Sequence, residues 1–279
     1  MIPKIFHFIF GMDADFGGKP FGLSHYLAIK SACCVNNPDK IIFHYKHEPS
    51  GEWWEKAKPL VTLKNIEPPL DIHGNLLFHP AHKADVVRLQ ALQEMGGIYL
   101  DIDSICVKPL DDFYAMNFAI GRQLIPPVYD GYGTFKKLAR SITTRSFKPF
   151  EQASVGGLCN AVLLSERNSP FLDLWLDSYK TFRSKGHDSY WDEHSVKMPL
   201  ELSKKNPGLL TELSPYCFHF PLWDDDGLSL LFEKKVTFEN AYVHHLWESK
   251  SWDRYLSKLT VDSVLHEDCT YNCIARKFL

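Results

Sequence analysis

The sequence predicts an α/β fold: one domain, with a mostly parallel sheet flanked by helices. Three features point there. Short apolar runs alternate with segments of helical spacing, the pattern of strand–helix units in a parallel sheet. The run at 98–105 is entered through a glycine pair and carries aspartates toward its carboxyl end, the edge where open α/β sheets hold ligands. No repeat, low-complexity tract or linker divides the 279 residues, a length that suffices for a substantial core.

Residues 4–10 read as a buried first strand stopped by Gly11, and a glycine-rich loop, DADFGGKPFG, follows. A helix is expected over 23–35, an alternating strand over 40–45, a short amphipathic piece over 52–61 and a loop over 65–75. From 80 to 95 the apolar rows through Val86, Leu89 and Ala91 repeat with helical spacing, and Gly96-Gly97 form the stop. The strand at 98–105 leaves through the turn VKPLDDF. A strand near 117–122 then leads into LIPPVYDGYGTFKK (124–137), which reads as a mobile surface loop. A strand over 156–165 precedes helices at 170–183 and 192–205. Strands at 216–223 and 240–247 flank an acidic loop, DDDG.

Hydrophobic residues at 45% and charged residues at 23% are ordinary for a globular chain. A net charge of −3 supplies no basic field for nucleic acid or an anionic membrane. The opening MIPKIFHFIFG contains Lys4 and His7 and is too short to span a bilayer. Seven cysteines without metal-ligand spacing, and no N-x-S/T sequon, lead to the expectation of a reduced, cytoplasmic protein.

The chemistry concentrates in MGGIYLDIDSICVKPLDDF. Asp101 and Asp103 stand at i and i+2, so on an extended chain both carboxylates face one side, with Tyr99 on the same face. Two such charges repel unless both reach water or a cation lies between them. A hard divalent cation removes the repulsion and attracts a diphosphate in turn. A strand end open to solvent remains the plain alternative. An aspartyl-phosphate phosphatase is a third, disfavoured because SICVKPLDDF lacks the usual Thr or Val and glycine turn. Asp85 and Arg88, three apart on a helix, share a face, as a simple ion pair or as part of the same pocket.

The segment HKADVVRLQALQEMGGIYLDIDSICVKPLD (82–111) resembles the signature of the D-x-D sugar transferases of glycosyltransferase family 32: K-x-D-x-x-R, then G-G-x-Y-x-D-x-D, then a K-P-L-like turn. That group is related to yeast initiating mannosyltransferases, animal α-1,4-galactosyltransferases and, more remotely, the glucosylating toxins of clostridia. IPKIFHFIFG is similar to the family's opening strand, and AYVHHLWESKSW (241–252) to its closing element. Within CNAVLLSERNSPF (159–171) the likeness points to Asn160. The family's T-G-P element is not recognisable; SVKMP occupies about that place, which leaves the acceptor side unassigned.

The resemblance implies a single GT-A-type domain with a Rossmann-like sheet, its nucleotide-sugar half over about 1–123 and its acceptor half over about 124–279. It implies a hexosyl- or pentosyltransferase that takes a UDP- or GDP-sugar donor, uses Mn2+ or Mg2+, passes the sugar to a glycan or other hydroxyl acceptor and retains anomeric configuration. By that likeness Asp103 binds the metal directly, Asp101 meets it through water and contacts the ribose or sugar, and His245 is the late metal ligand, with His244 as the fallback. Asp85 accepts from donor-sugar hydroxyls, Arg88 steadies sugar or phosphates, and Asn160 orients the sugar at the reaction centre. Tyr99 and Phe8 touch the nucleotide, with His7 beside the base or at the surface. Glu248, Ser251 and Trp252 close over the diphosphate. The run Asp224, Asp225, Asp226 is a solvated face or an acceptor contact, and His79 with His82 lacks the partners of a zinc site. A catalytically silent nucleotide-sugar-binding relative is the competing reading, which donor hydrolysis would separate. A bacterial or viral glycan-assembly enzyme of the cytoplasm fits this set best, without a membrane span.

Overall fold

The computed structural model describes residues 1–126 and 154–279. Its centre is a seven-stranded sheet. In chain order the strands are β1 (Ile5–Ile9), β2 (Lys40–Tyr45), β3 (Thr62–Asn65), β4 (Asp71–Ile72), β5 (Asn75–Leu76), β6 (Gly97–Leu100), β7 (Ser104–Cys106), β8 (Phe118–Ile125), β9 (Ser154–Ser165), β10 (Thr211–Leu213) and β11 (Val243–His245). The large sheet runs β10-β8-β9-β6-β1-β2-β3. Strands β1, β2, β3 and β6 pair in parallel, as do β8 and β10, while the long β9 lies antiparallel between β6 and β8. The sheet is therefore mostly parallel with one reversed strand. Strands β4 and β5 make a separate hairpin, and β7 with β11 a separate antiparallel ribbon.

Side-chain alternation along the central strands feeds two cores. Phe6, Phe8, Phe43, Ile98, Leu100, Val162 and Leu164 face one layer, and Tyr99, Phe118, Ile120 and Leu163 the other. Burial on both sides explains why these strands read as continuous apolar runs. Helices α1 (Leu23–Asn36) and α2 (Glu52–Ala57) cover the first layer through Ile29, Ala32, Trp54 and Ala57. Helices α3 (Pro80–Met95) and α4 (Pro170–Ser178) cover the second through Val86, Leu89, Leu92, Phe171 and Trp175. The remaining helices are α5 (Met198–Lys205), α6 (Pro215–Phe218), α7 (Asp225–Phe232), α8 (Glu248–Ser251), α9 (Val261–His266) and α10 (Thr270–Ala275). The last two pack Val264, Tyr271 and Ala275 against Leu23 and Leu27 of α1 and Ile105 of β7.

Helix α3 starts on Pro80 behind a His79 ring that accepts from the Ala81 amide, and it stops at Gly96. A Cβ on Gly96 would fall 2.7 Å from the Arg167 nitrogen, and one on Gly97 2.2 Å from the Ile5 carbonyl oxygen. Both glycines have positive φ, 66° and 111°. Only glycine lets the chain leave the helix and lie this close beside β1.

Several local expectations change. The strand expected at 98–105 ends at Leu100, turns through Asp101 to Asp103 and resumes as β7 in the other sheet. The aspartates therefore sit on a turn between sheets. The aromatic stretch at 216–223 is helix α6 and irregular chain, because Ser214 caps a turn that begins at Pro215. DDDG is the start of α7, with Asp224 accepting from the Gly227 amide at 3.0 Å. Within 192–205 the chain makes a π-helical turn at Glu193–Lys197 before α5. The surface loop expected at 124–137 lies, from residue 127 onward, outside the described residues.

Candidate active site

The Asp101 amide makes the last hydrogen bond of the central sheet here, to the Ala161 carbonyl at 2.8 Å. The chain then turns, and the Asp103 carbonyl accepts from Leu246 at 2.7 Å as β7 takes up β11. That ribbon delivers His245. Its Nε2 lies 3.2 Å from Asp103 Oδ2 and 3.8 Å from Asp101 Oδ2. Asp101, Asp103 and His245 each offer one ligand atom, and these atoms all lie within 4.8 Å of one another. Two carboxylates and an imidazole are a donor set that suits a divalent cation of hard or borderline character, so the residues present fit the metal that the resemblance implies.

The electrostatics follow from burial in the absence of that charge. Burial alone would lower the value of His245, but Asp103 and Asp101 outweigh it and raise it. Burial likewise opposes ionisation of Asp103, yet His245 and the Glu248 amide, 2.6 Å from Oδ2, hold its carboxyl well below the usual range. Asp101 shifts upward: burial dominates, against the attraction of Arg88. The two carboxylates thus favour a positive charge on His245, at the place where a cation between them would act.

A second set of contacts runs from α3. Arg88 Nη1 is 2.9 Å from Asp101 Oδ1 and Nη2 is 3.2 Å from Asp85 Oδ1. Nη1 also donates to the Asn160 carbonyl at 2.9 Å and to its side-chain oxygen at 3.2 Å, and Asn160 Nδ2 donates to Asp85 Oδ1 at 2.7 Å. The guanidinium lies over the Tyr99 ring, 4.4 Å from its centroid, and the Tyr99 hydroxyl donates to Asp101 Oδ1 at 2.6 Å. Asp85, Arg88, Tyr99, Asp101 and Asn160 therefore form one connected network. Arg88 is only 7% exposed, a position that a guanidinium holds only when its donors are matched.

Other expected residues fall elsewhere. Phe8 is wholly buried in the first core layer beside Phe43 and Trp54, so it presents no face to a base; this corrects the expectation of a nucleotide contact. His7 is also buried, paired with His44 and the Gly96 carbonyl. Ser251 is fully buried and donates to the Leu246 carbonyl at 2.7 Å. That bond holds the turn at Trp247, whose φ is 55°. Trp252 is half-buried and stacks on His25, and the Glu248 carboxylate turns to His25 at 2.6 Å and Lys19 at 3.3 Å. His244 bonds the Phe220 carbonyl and stays apart from the carboxylates. Asp225 pairs with Arg254 at 2.8 Å, while His79 and His82 pack edge-on or tilted against Trp191. Cys159 and His219 also lie against His245; no ligand spacing in the sequence marks them, and only the fold joins them.

A family signature described as a glycosyltransferase sugar-binding region containing a DXD motif matches residues 25–119. The whole chain is similar, at 34% identity over 285 residues, to glucan organizing enzyme 1 of Cryptococcus neoformans var. grubii, and it spans 71% of that protein. Over 95 residues it is 34% identical to an uncharacterized glycosyltransferase of Acanthamoeba polyphaga mimivirus, covering 33% of this chain and 36% of that one. Among solved structures, mouse xyloside xylosyltransferase 1 in its apo form superposes with a TM-score of 0.50 at 15% identity, over 90% of this chain and 99% of that one. That likeness is one of fold.

Proposed function

Because this chain belongs to the family of glycosyltransferases with a DXD-containing sugar-binding region, we propose that it moves a sugar from a UDP- or GDP-sugar to a hydroxyl acceptor, with retention of anomeric configuration, at the site built around Asp101, Asp103 and His245. One observation carries the reading: two carboxylates and an imidazole from different sheets converge beside the Asp85–Arg88–Asn160 network. Asp103 and His245 would hold Mn2+ or Mg2+ directly and Asp101 would complete the set. When bound, the cation supplies Lewis-acid charge to the departing diphosphate.

The chain's own residues account for the rest. Arg88 fixes Asp101 and Asp85 in one orientation, so the site is preorganised before donor arrives. Both contacts on Asp85 fall on Oδ1, which leaves Oδ2 for a donor-sugar hydroxyl. Asn160, bonded to Asp85, would orient the sugar at the reaction centre. Retention would follow from front-face attack, in which the acceptor proton passes to the departing phosphate oxygen. In this reading the nucleotide half over about 1–123 and the acceptor half over about 124–279 would both contribute to the site. The name of the fungal relative, glucan organizing enzyme 1, supports a glycan as the acceptor class.

The test is turnover of the Asp103→Asn variant. With Mn2+ and each nucleotide-sugar in turn, the wild type should release nucleoside diphosphate, and the variant should be slower by about 100-fold or more while keeping its circular dichroism spectrum. Equal turnover in both proteins, or turnover indifferent to chelator, would contradict the proposal.

A further inference from the structure

Behind the carboxylate pair lies a second set of donor atoms. Cys159 on β9, His219 just after α6 and His245 on β11 bring one ligand atom each to within 4.8 Å of one another. Cys159 is 5% exposed and His219 0%. Neither ring nitrogen of His219 makes a hydrogen bond among the described residues, and neither does Nδ1 of His245. A backbone group of Cys159 leans on His219 without closing one. A buried polar atom left unpaired is costly, so three together imply a missing partner. The position of His219 is also tightly built. A Cβ on Gly121 would come within 2.8 Å of its Cδ2, so only glycine at that point of β8 admits the imidazole.

We propose that Cys159, His219 and His245 form a buried pocket for a thiophilic divalent cation such as Zn2+, and that filling it switches off the site in front. A thiolate and two imidazoles select zinc-like ions over magnesium or manganese, which prefer oxygen. Three protein ligands leave a fourth position for water. On binding, the thiol proton leaves to solvent and the sulfur–metal bond forms. Neutral imidazole carries one lone pair. A cation drawn from behind by Cys159 and His219 and one held in front by Asp103 therefore compete for His245. This second half rests on the reading of His245 as a ligand of the catalytic cation; the first does not.

Titration of reduced, metal-stripped protein with Co2+ tests the pocket directly. The expected result is a thiolate-to-cobalt charge-transfer band of one cobalt per chain. It should be lost in Cys159→Ser, weakened about tenfold or more in His219→Leu, and retained in Asp103→Asn. No band, or one unchanged in Cys159→Ser, overturns the pocket and leaves water as the partner of these atoms. Zn2+ inhibition of Mn2+-dependent donor hydrolysis tests the competition. Half-inhibition should need more Zn2+ as Mn2+ rises, and Cys159→Ser should resist Zn2+ by about tenfold or more. Inhibition independent of Mn2+, or equal in both proteins, overturns the switch. If Mn2+ supports no turnover at all, the catalytic reading fails, and the cobalt band still decides the pocket.

Discussion

Arg88 carries more of this site than its one positive charge suggests. It pairs with Asp85 and Asp101, bonds Asn160 and covers Tyr99. Removing it leaves Asp85 with only the neutral Asn160 amide and takes from Asp101 its nearest positive charge, in a poorly hydrated place. Arg88→Met should therefore destabilise the protein by about 3–5 kcal/mol in urea unfolding, and a loss below about 1 kcal/mol would mean that both carboxylates simply reach water. His245 and Asp103 make a second linked pair whose pH dependence has a definite sign. His245 is raised above its usual 6.5, so its contribution is complete below that value and lost as pH climbs through the folded one. Asp103 is depressed below 3.8, so its contribution is complete above that value and lost on acidification through the folded one. In metal-free protein both are complete between about pH 4 and 6.5. The Tm difference between wild type and His245→Gln should be largest in that window and shrink toward alkaline pH; a difference that grows with pH would refute the ion pair.

At the scale of elements, the glycine pair decides where the acidic turn stands. Gly97→Ala forces a Cβ to 2.2 Å from the Ile5 carbonyl at a φ of 111°. It should cost more than about 1 kcal/mol, read as a lowered urea midpoint with unchanged slope, and a neutral substitution would mean that the β1–β6 pairing tolerates a shift. Much of this level was legible in advance. Helix α3 was readable to its ends because apolar spacing, Pro80 and the glycines agree, and the i, i+3 spacing of Asp85 and Arg88 did put them on one face. The break after Leu100 was not readable: same-face logic for Asp101 and Asp103 assumes an extended chain, whereas a turn and a second sheet bring them together. Alternating aromatics at 216–223 imitated a strand, and Ser214-Pro215 overrode them. Phe8 lay on the strand that was expected to line the pocket, but that strand is covered on both faces. Asp224 read as one of three surface charges, although an aspartate three residues before a glycine amide is also a helix cap.

Across the whole molecule, the seven-stranded sheet supplies Asp101 and Asn160, the two-stranded ribbon supplies His245, and α3 supplies Asp85 and Arg88. No helix among the described residues is long and apolar enough to cross a membrane. The candidate site is a seam between layers that no single segment encodes, which is why Cys159 and His219 passed unseen while the D-x-D run stood out. The same seam explains how occupancy on one side of His245 can govern the other. The proposed transfer requires a divalent cation that sits between these layers and grips a diphosphate. Anomalous diffraction at the manganese edge, from crystals soaked with Mn2+ and a nucleotide-sugar, addresses it most directly. One peak bonded to Asp103 and His245 and touching the donor phosphates is expected; a bound donor with no manganese at those side chains would refute the metal site.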